Sequence, residues 1–283
     1  MMKRIFLSKL FQASLVCFLA VLFTACDEVF GSEDNPIPAY LSMDTSDVTL
    51  KVGDKVMFRG ENTDYATTKN NDYNHIDCDK NIKVYGNIMS LIKKTGFETV
   101  TALTAVHAFR KLFMANANLI DASDLLLPAE TLTDFCYREM FYNCTSLTTA
   151  PKELPATSLA ENCCSYMFAS CAALTTVPVE LPATVMKDYC YGSMFYGCTS
   201  LTTAPKLPAT TLVNRCYNEM FFGCTNLSEA WVKADYTNTS NECGDMFYGV
   251  TATGKIHTSN HTTTNWTTKK PANWTVSDED YNP

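Results

Sequence analysis

Apolar residues recur along the middle of this chain at a fixed interval. Residues 136–162 read CYREMFYNCTSLTTAPKELPATSLAEN, 163–189 read CCSYMFASCAALTTVPVELPATVMKDY, and 190–215 read CYGSMFYGCTSLTTAPKLPATTLVNR. A further copy opens at residue 216 as CYNEMFFGCTNL and then drifts into SEAWVKADYTNTS. An upstream copy from Ala108 keeps LF, NL and LLLPAETL but neither cysteine. Phe holds one offset (Phe113, Phe141, Phe168, Phe195, Phe221, Phe247), and Leu follows six residues later at Leu119, Leu147, Leu174, Leu201 and Leu227. A second Leu precedes a Pro at Leu127, Leu154, Leu181 and Leu207. A period of 26–28 residues with Leu at fixed offsets predicts an α/β-type leucine-rich-repeat solenoid of short parallel strands, loops and short helical turns. Each set of Phe and Leu then stacks into a ladder at about 4.8 Å per repeat, one repeat covering the next. Pro128, Pro155, Pro182 and Pro208 have no N–H to donate, so they mark corners outside the ladder bonds.

The flanks read differently. Val48, Leu50 and Val52 alternate with polar residues, Gly53-Asp54 turns the chain, and Val56 and Phe58 alternate again, a hairpin pattern. Residues 82–88 (IKVYGNI) predict a strand and 89–94 a short helix. A β-rich N-terminal capping region over 40–107 therefore precedes repeats over 108–250. Residues 251–283 are rich in Thr and Asn, and there Trp266 and Trp274 are expected to pack as a C-terminal cap.

Charge and the N-terminus locate the chain. Residues 1–9 carry three cations, and 10–23 form an apolar run too short to span a bilayer comfortably. The sequence LFTAC at 22–26 resembles a bacterial lipoprotein signal, with the usual Leu displaced by one position. Residues 1–25 are then a signal peptide, Cys26 is the lipidation site and 26–39 (with GSEDNPIPA at 31–39) is a tether. Asp27 and Glu28 resemble the surface-export signal of Bacteroidetes lipoproteins, which implies an outer-membrane lipoprotein exposed at the cell surface. The net charge is −8; residues 1–25 hold three cations and no acids, so the processed chain carries 19 cations against 30 acids, or −11. That balance argues against nucleic acid as a partner, leaving the lipid anchor as the membrane contact.

The phrases CYREMFYNCTSLTTAP, LPATTL and YGNIMSLI, with the ending NWTV, resemble the BspA-like leucine-rich-repeat proteins of Bacteroides surfaces, from about Val48 onward. The resemblance implies a surface lipoprotein with a curved repeat solenoid, in a family where some members are similar to adhesins. It brings no catalytic residue and no cofactor. The expected function is binding or adhesion to a host or bacterial protein or glycan, such as host matrix or mucin. The alternatives are a glycan-capture lipoprotein of a nutrient uptake system and a structural spacer without catalysis. The candidate binding face is the Thr-rich one beside the Leu ladder: Thr148, Thr149, Thr175, Thr176, Thr202 and Thr203. Rows of neutral hydroxyls suit glycans or β-rich proteins, although Thr also serves β-propensity alone.

Four cysteine pairs share a spacing of eight: Cys136 and Cys144, Cys163 and Cys171, Cys190 and Cys198, Cys216 and Cys224. Two readings stand. The pairs are candidate within-repeat disulfides in an exported protein, or each Cys is a small buried ladder residue. Cys243 tells against bridging, because Val250 stands where the second cysteine of a pair follows the core Phe. The spacing is not that of a metal site, and adjacent Cys163 and Cys164 serve one tetrahedral ion poorly. His257 and His261 fall in a Thr-rich segment expected to be an exposed loop. His75 and His107 belong to no catalytic or metal-binding motif in the sequence. No GxSxG, HExxH or phosphate-loop motif is present. Sequons at Asn143, Asn238, Asn265 and Asn273 are incidental in a bacterial surface protein.

Overall fold

The computed structural model describes residues 76–93, 95–234, 241–258, 266 and 270–277 with their side chains. Ahead of them it describes only five strand backbones: β1 (Lys3–Leu7), β2 (Ala20–Phe23), β3 (Ala39–Tyr40), β4 (Val48–Leu50) and β5 (Lys55–Met57). The expected lipidation site Cys26, residues 26–38 of the expected tether, most of the expected signal segment, His75 and His261 lie outside the described residues. Both arms of the expected hairpin are strands, but they do not pair with each other. β4 pairs with β1 and β5 with β2, all antiparallel. A period-two pattern specifies a strand and its faces, not its partner.

From β6 (Ile76–Cys78) and β7 (Ile82–Asn87) onward the chain is built mostly of short parallel strands with few helices. The helix expected at 89–94 is a 3₁₀ turn at Ile88–Leu91, started by Asn87, whose side chain accepts from the Met89 N–H. A second 3₁₀ turn covers Phe97–Thr99. β7 pairs in parallel with β8 (Leu119–Leu126). The ladder continues through single bridges Asp121 to Thr149 and Thr149 to Thr176. β9 (Thr203–Leu207), β10 (Glu229–Val232), β11 (Gly254–His257) and β12 (Trp274–Ser277) complete it in parallel order. Pro151, Pro178 and Pro205 lie along this side and cannot donate. The absent N–H alone does not set the pairing, because β9 contains Pro205 and is a full strand, whereas the repeats holding Pro151 and Pro178 contribute single bridges. A second file of parallel bridges runs from Ala102 through Thr131 and Ser158 to Val185, at the LPAT corner.

The third side of each repeat departs from expectation. Short helical turns were predicted there, but among the described residues the repeats contain no helix. The reason is backbone handedness. Positive φ recurs every fourth residue, at Phe135, Glu139 and Asn143, then at Asn162, Tyr166 and Ser170, and again in later repeats. A right-handed helix cannot absorb such residues. The result is a turn ribbon in which alternate N–H groups point in two directions. Those of Phe135, Tyr137, Glu139, Phe141 and Asn143 donate to Glu161, Cys163, Ser165, Met167 and Ala169 one repeat on, at 2.8–3.0 Å. Those of Cys136, Arg138, Met140, Tyr142 and Cys144 donate three residues back, at 3.1–3.3 Å. Every N–H in the ribbon is thereby satisfied, half of them across the stack.

Inside, the Phe ladder forms as the sequence predicts. Ring centroids are 5.2 Å apart for Phe113–Phe141 and Phe141–Phe168, and 5.6 Å for Phe168–Phe195 and Phe195–Phe221. Phe221–Phe247 follows at 5.7 Å. The Leu rows are buried beside it. Phe247 is covered by Trp266 (6.0 Å, edge-on) and Trp274 (5.4 Å), whose indole N–H groups donate to the Ala234 and Ala252 carbonyls. At the other end Asn116 and Asn118 donate to the Ile76 and Cys78 carbonyls, tying the first repeat to β6. No helix among the described residues is long and apolar enough to cross a membrane.

A ring in mid-ladder touches two others and cannot be replaced by relaxation. Phe168→Ala is expected to cost about 3–5 kcal/mol in urea unfolding. A loss below about 1 kcal/mol would mean that the ladder does not hold the stack.

Candidate interaction surface

The six Thr residues do fall together, in two adjacent rows on the strand side, five of them exposed and Thr149 half-buried. Two hydroxyls of the first row are already engaged. Thr148 Oγ1 donates to the Ile120 carbonyl at 2.9 Å and Thr175 Oγ1 to the Thr148 carbonyl at 3.2 Å, and Ser228 repeats the contact on Thr202. These hydroxyls join repeats. The second row changes character, because Thr203 is followed by Glu229, Lys255 and Thr275. There His257 Nε2 lies 3.1 Å from Glu229 Oε1, and its ring stacks on Trp231 at 4.8 Å. His257 is therefore a buried strand residue and not an exposed loop histidine. The drifted phrase SEAWVKA concealed this cluster.

The outer side of the turn ribbon carries the residues that sequence reasoning missed. Tyr196, Phe222 and Tyr248 stack along it, with centroids 4.7 and 4.9 Å apart. Tyr248 is 64% exposed. Gly197, Gly223 and Gly249, all at positive φ, run alongside and leave the flank of the rings bare. Nearer the N-terminus, half-buried Phe135, Tyr166 and Tyr189 share this side with Arg138 and Arg215. The Arg138 guanidinium lies 5.7 Å from the Phe135 ring and 6.0 Å from Tyr166, and that of Arg215 is 5.3 Å from Tyr189. Glu139 draws Arg138 (2.9 Å), Lys111 (3.2 Å) and Arg110 (4.0 Å). The nearby Glu139 carboxylate supports the Arg110 charge, but burial, the larger influence, lowers its pKa. One signal was available: the core pairs Cys-Tyr and Met-Phe recur every four residues, so in CYGSMFYGC the ring after the core Phe falls in the intervening pair that faces outward.

The cysteines are free and buried, all eleven of those described. Those eight apart are not each other's neighbours. Cys136 lies beside Cys163, and Cys144, Cys171, Cys198 and Cys224 follow one another from repeat to repeat. The candidate pairs Cys136–Cys144, Cys163–Cys171, Cys190–Cys198 and Cys216–Cys224 thus occupy two separate rows, as unbridged thiols. In the second row each thiol donates to a Phe carbonyl: Cys144 to Phe113, Cys171 to Phe141, Cys198 to Phe168 and Cys224 to Phe195, at 3.0–3.1 Å. The first repeat has Asn116 in that position, and its amide makes the equivalent bond. Cys243 does not continue the first row. The Tyr217 N–H donates to the Glu242 carbonyl, as the Tyr137 N–H does to Cys163, so Glu242 follows Cys216 and Cys243 follows Tyr217. Among the described residues no group of three or more His, Cys, Asp or Glu could hold a metal ion.

Comparison with known protein families, curated proteins and solved structures finds no match to this chain.

Burial pushes the Cys216 thiol up to about 11 and that of Cys224 up to about 12, from an ordinary 9.0. It likewise raises Cys136, Cys144, Cys171, Cys190 and Cys198. The folded chain keeps protons that the unfolded chain releases, so this stability is whole below pH 9 and is lost as pH rises towards 12. The urea midpoint is expected to fall as pH rises from about 9 towards about 12. Iodoacetamide at about pH 8 should modify no ladder thiol without denaturant. A midpoint indifferent to alkaline pH would contradict this placement of the thiols.

Proposed function

We propose that this protein is a cell-surface-anchored binding or adhesion protein. In this reading it is a leucine-rich-repeat solenoid of the BspA-like kind, held at the outer membrane through Cys26. The observation that carries the reading is the outward-facing aromatic strip of half-buried Tyr196 and Phe222 and exposed Tyr248, continued by the Arg138 and Arg215 pairs with aromatic rings. Tyr and Arg dominate binding energy at interfaces because they offer large contact area at little cost in side-chain freedom. The engaged hydroxyls of Thr148 and Thr175 move the weight from the Thr rows to this strip. The partner is a protein or a glycan, with host matrix and mucin as the first to try. Many copies on one cell would turn modest contacts into firm attachment.

The test is binding of the purified protein to immobilised fibronectin, mucin and a printed glycan array. Changing Tyr196, Phe222 and Tyr248 together to Ser is expected to lower the affinity for any captured probe at least about tenfold. Changing Thr149, Thr176 and Thr203 together to Val should leave it within about twofold. No capture of any probe at high coating density, or the reverse ranking of the two variants, would overturn the reading. The anchor is tested separately: Cys26→Ser is expected to abolish fatty-acid labelling and membrane fractionation.

A further inference from the structure

Two rows of side chains flank the Phe ladder, and both are interrupted in the same repeat. In the inner row Phe109 stacks on Tyr137 at 5.9 Å and Tyr191 on Tyr217 at 6.3 Å. Between Tyr137 and Tyr191 the row holds Cys164. The register is set by the backbone, because the Tyr137, Cys164 and Tyr191 N–H groups donate to the Cys163, Cys190 and Cys216 carbonyls. In the outer row Tyr142 precedes the Tyr196–Phe222–Tyr248 stack, and between Tyr142 and Tyr196 the row holds Ala169. Asn143 and Ser170 fix that register by donating to the Ala169 and Tyr196 carbonyls. Residues 163–189 therefore keep ring-to-ring contact with their neighbours only through Phe168, beside the guanidiniums of Arg138 on Tyr166 and Arg215 on Tyr189.

The missing inner ring leaves a trace. A small cavity lies at that level, lined by Tyr137, Cys164, Tyr191, Leu154, Ala156 and Leu159 among others. Tyr137 is 1% exposed, and its hydroxyl has no hydrogen-bond partner. An aromatic contact is absent on each side, the interior is incompletely filled, and a phenol is buried without a partner. All three penalties fall on one repeat and its two junctions.

We infer that residues 163–189 are a joint built into the stack, at which the repeats before and after part while each block stays folded. In a linear array each repeat is held only by its neighbours, so the junction with the fewest contacts opens first. Opening there uncovers Cys163, Cys164 and Cys171. Cys216 and Cys224, inside the following block, stay covered.

Thiol labelling of the whole protein in sub-denaturing urea reads this directly. Each site is quantified by peptide mass spectrometry and normalised to its rate in the unfolded chain. Cys163, Cys164 and Cys171 are expected to label at least about tenfold faster than Cys216 and Cys224. Cys164→Tyr with Ala169→Tyr restores both rings, and should bring Cys163 and Cys171 down to the rate of Cys216. If that double variant fails to fold, Tyr137→Phe, which only removes the unpartnered hydroxyl, should slow Cys163 labelling in the same direction. Amide hydrogen exchange supplies a readout independent of thiol chemistry, and residues 163–189 should be the least protected of the central repeats. One common labelling rate for all five thiols, or faster labelling of Cys216 and Cys224, would overturn the inference.

Discussion

The stack depends on one arrangement: a phenylalanine ring in each repeat lying on the ring of the next, while the backbone around it donates every second N–H across the same gap. Neither half suffices alone. Ring stacking supplies apolar burial and about 0.5–1.5 kcal/mol per pair beyond it, but it leaves rotation and register loose. The N–H donations from Phe141 to Met167 and from Phe168 to Met194 fix the register residue by residue. The ribbon reaches this state only because left-handed residues recur every fourth position. That frees alternate amides to point out of the repeat.

Other features follow from this arrangement. Phe carbonyls on the ladder already accept an N–H from three residues on, and the second cysteine row gives several of them a thiol donor as well. Asn116 makes the comparable bond at the start of the stack. The last ring has no repeat beyond it, and two tryptophans cover it, each with its indole N–H bonded. The strand side, weakened by Pro151, Pro178 and Pro205, is the poorer source of cohesion, and there Thr hydroxyls supplement the backbone bonds. The outward rings of Tyr196, Phe222 and Tyr248 stack for the same reason the core rings do: identical positions one repeat apart are held at ring-contact distance whether or not they are buried.

Much of the core was legible. The positions of Phe113 to Phe247 and of the Leu rows were named from spacing alone, and each is buried where a ladder requires. The strand at residues 82–87 was legible from its β-rich pattern. The interaction surface was not. Tyr196 and Phe222 stand next to core phenylalanines in a phrase that reads as one apolar block, and only the four-residue turn of the ribbon, with two residues buried and the next two outward, sends them out. Thr rows looked like a free face because a sequence does not show that Thr148 and Thr175 are already donating to the repeat before them. Glu229 and His257 are 28 residues apart in a segment where the repeat phrase had dissolved, so nothing in the chain announced their contact.

What the sequence determined by itself was periodicity: which residues share a row, which rows are apolar, and therefore that one repeat must cover the next. Spacing carries that information because identical units bury an apolar face only against each other. Tertiary structure decided handedness and direction. Phe135, Glu139, Tyr166 and Tyr189 adopt positive φ although their side chains disfavour it, because cross-repeat hydrogen bonds outweigh the local cost of about 1–2 kcal/mol each. The same cooperation set cysteines eight apart on different rows and left them unbridged, and it placed Cys164 and Ala169 as gaps on opposite flanks of one ring. A local pattern cannot encode such outcomes, since each depends on what the neighbouring repeat offers in return.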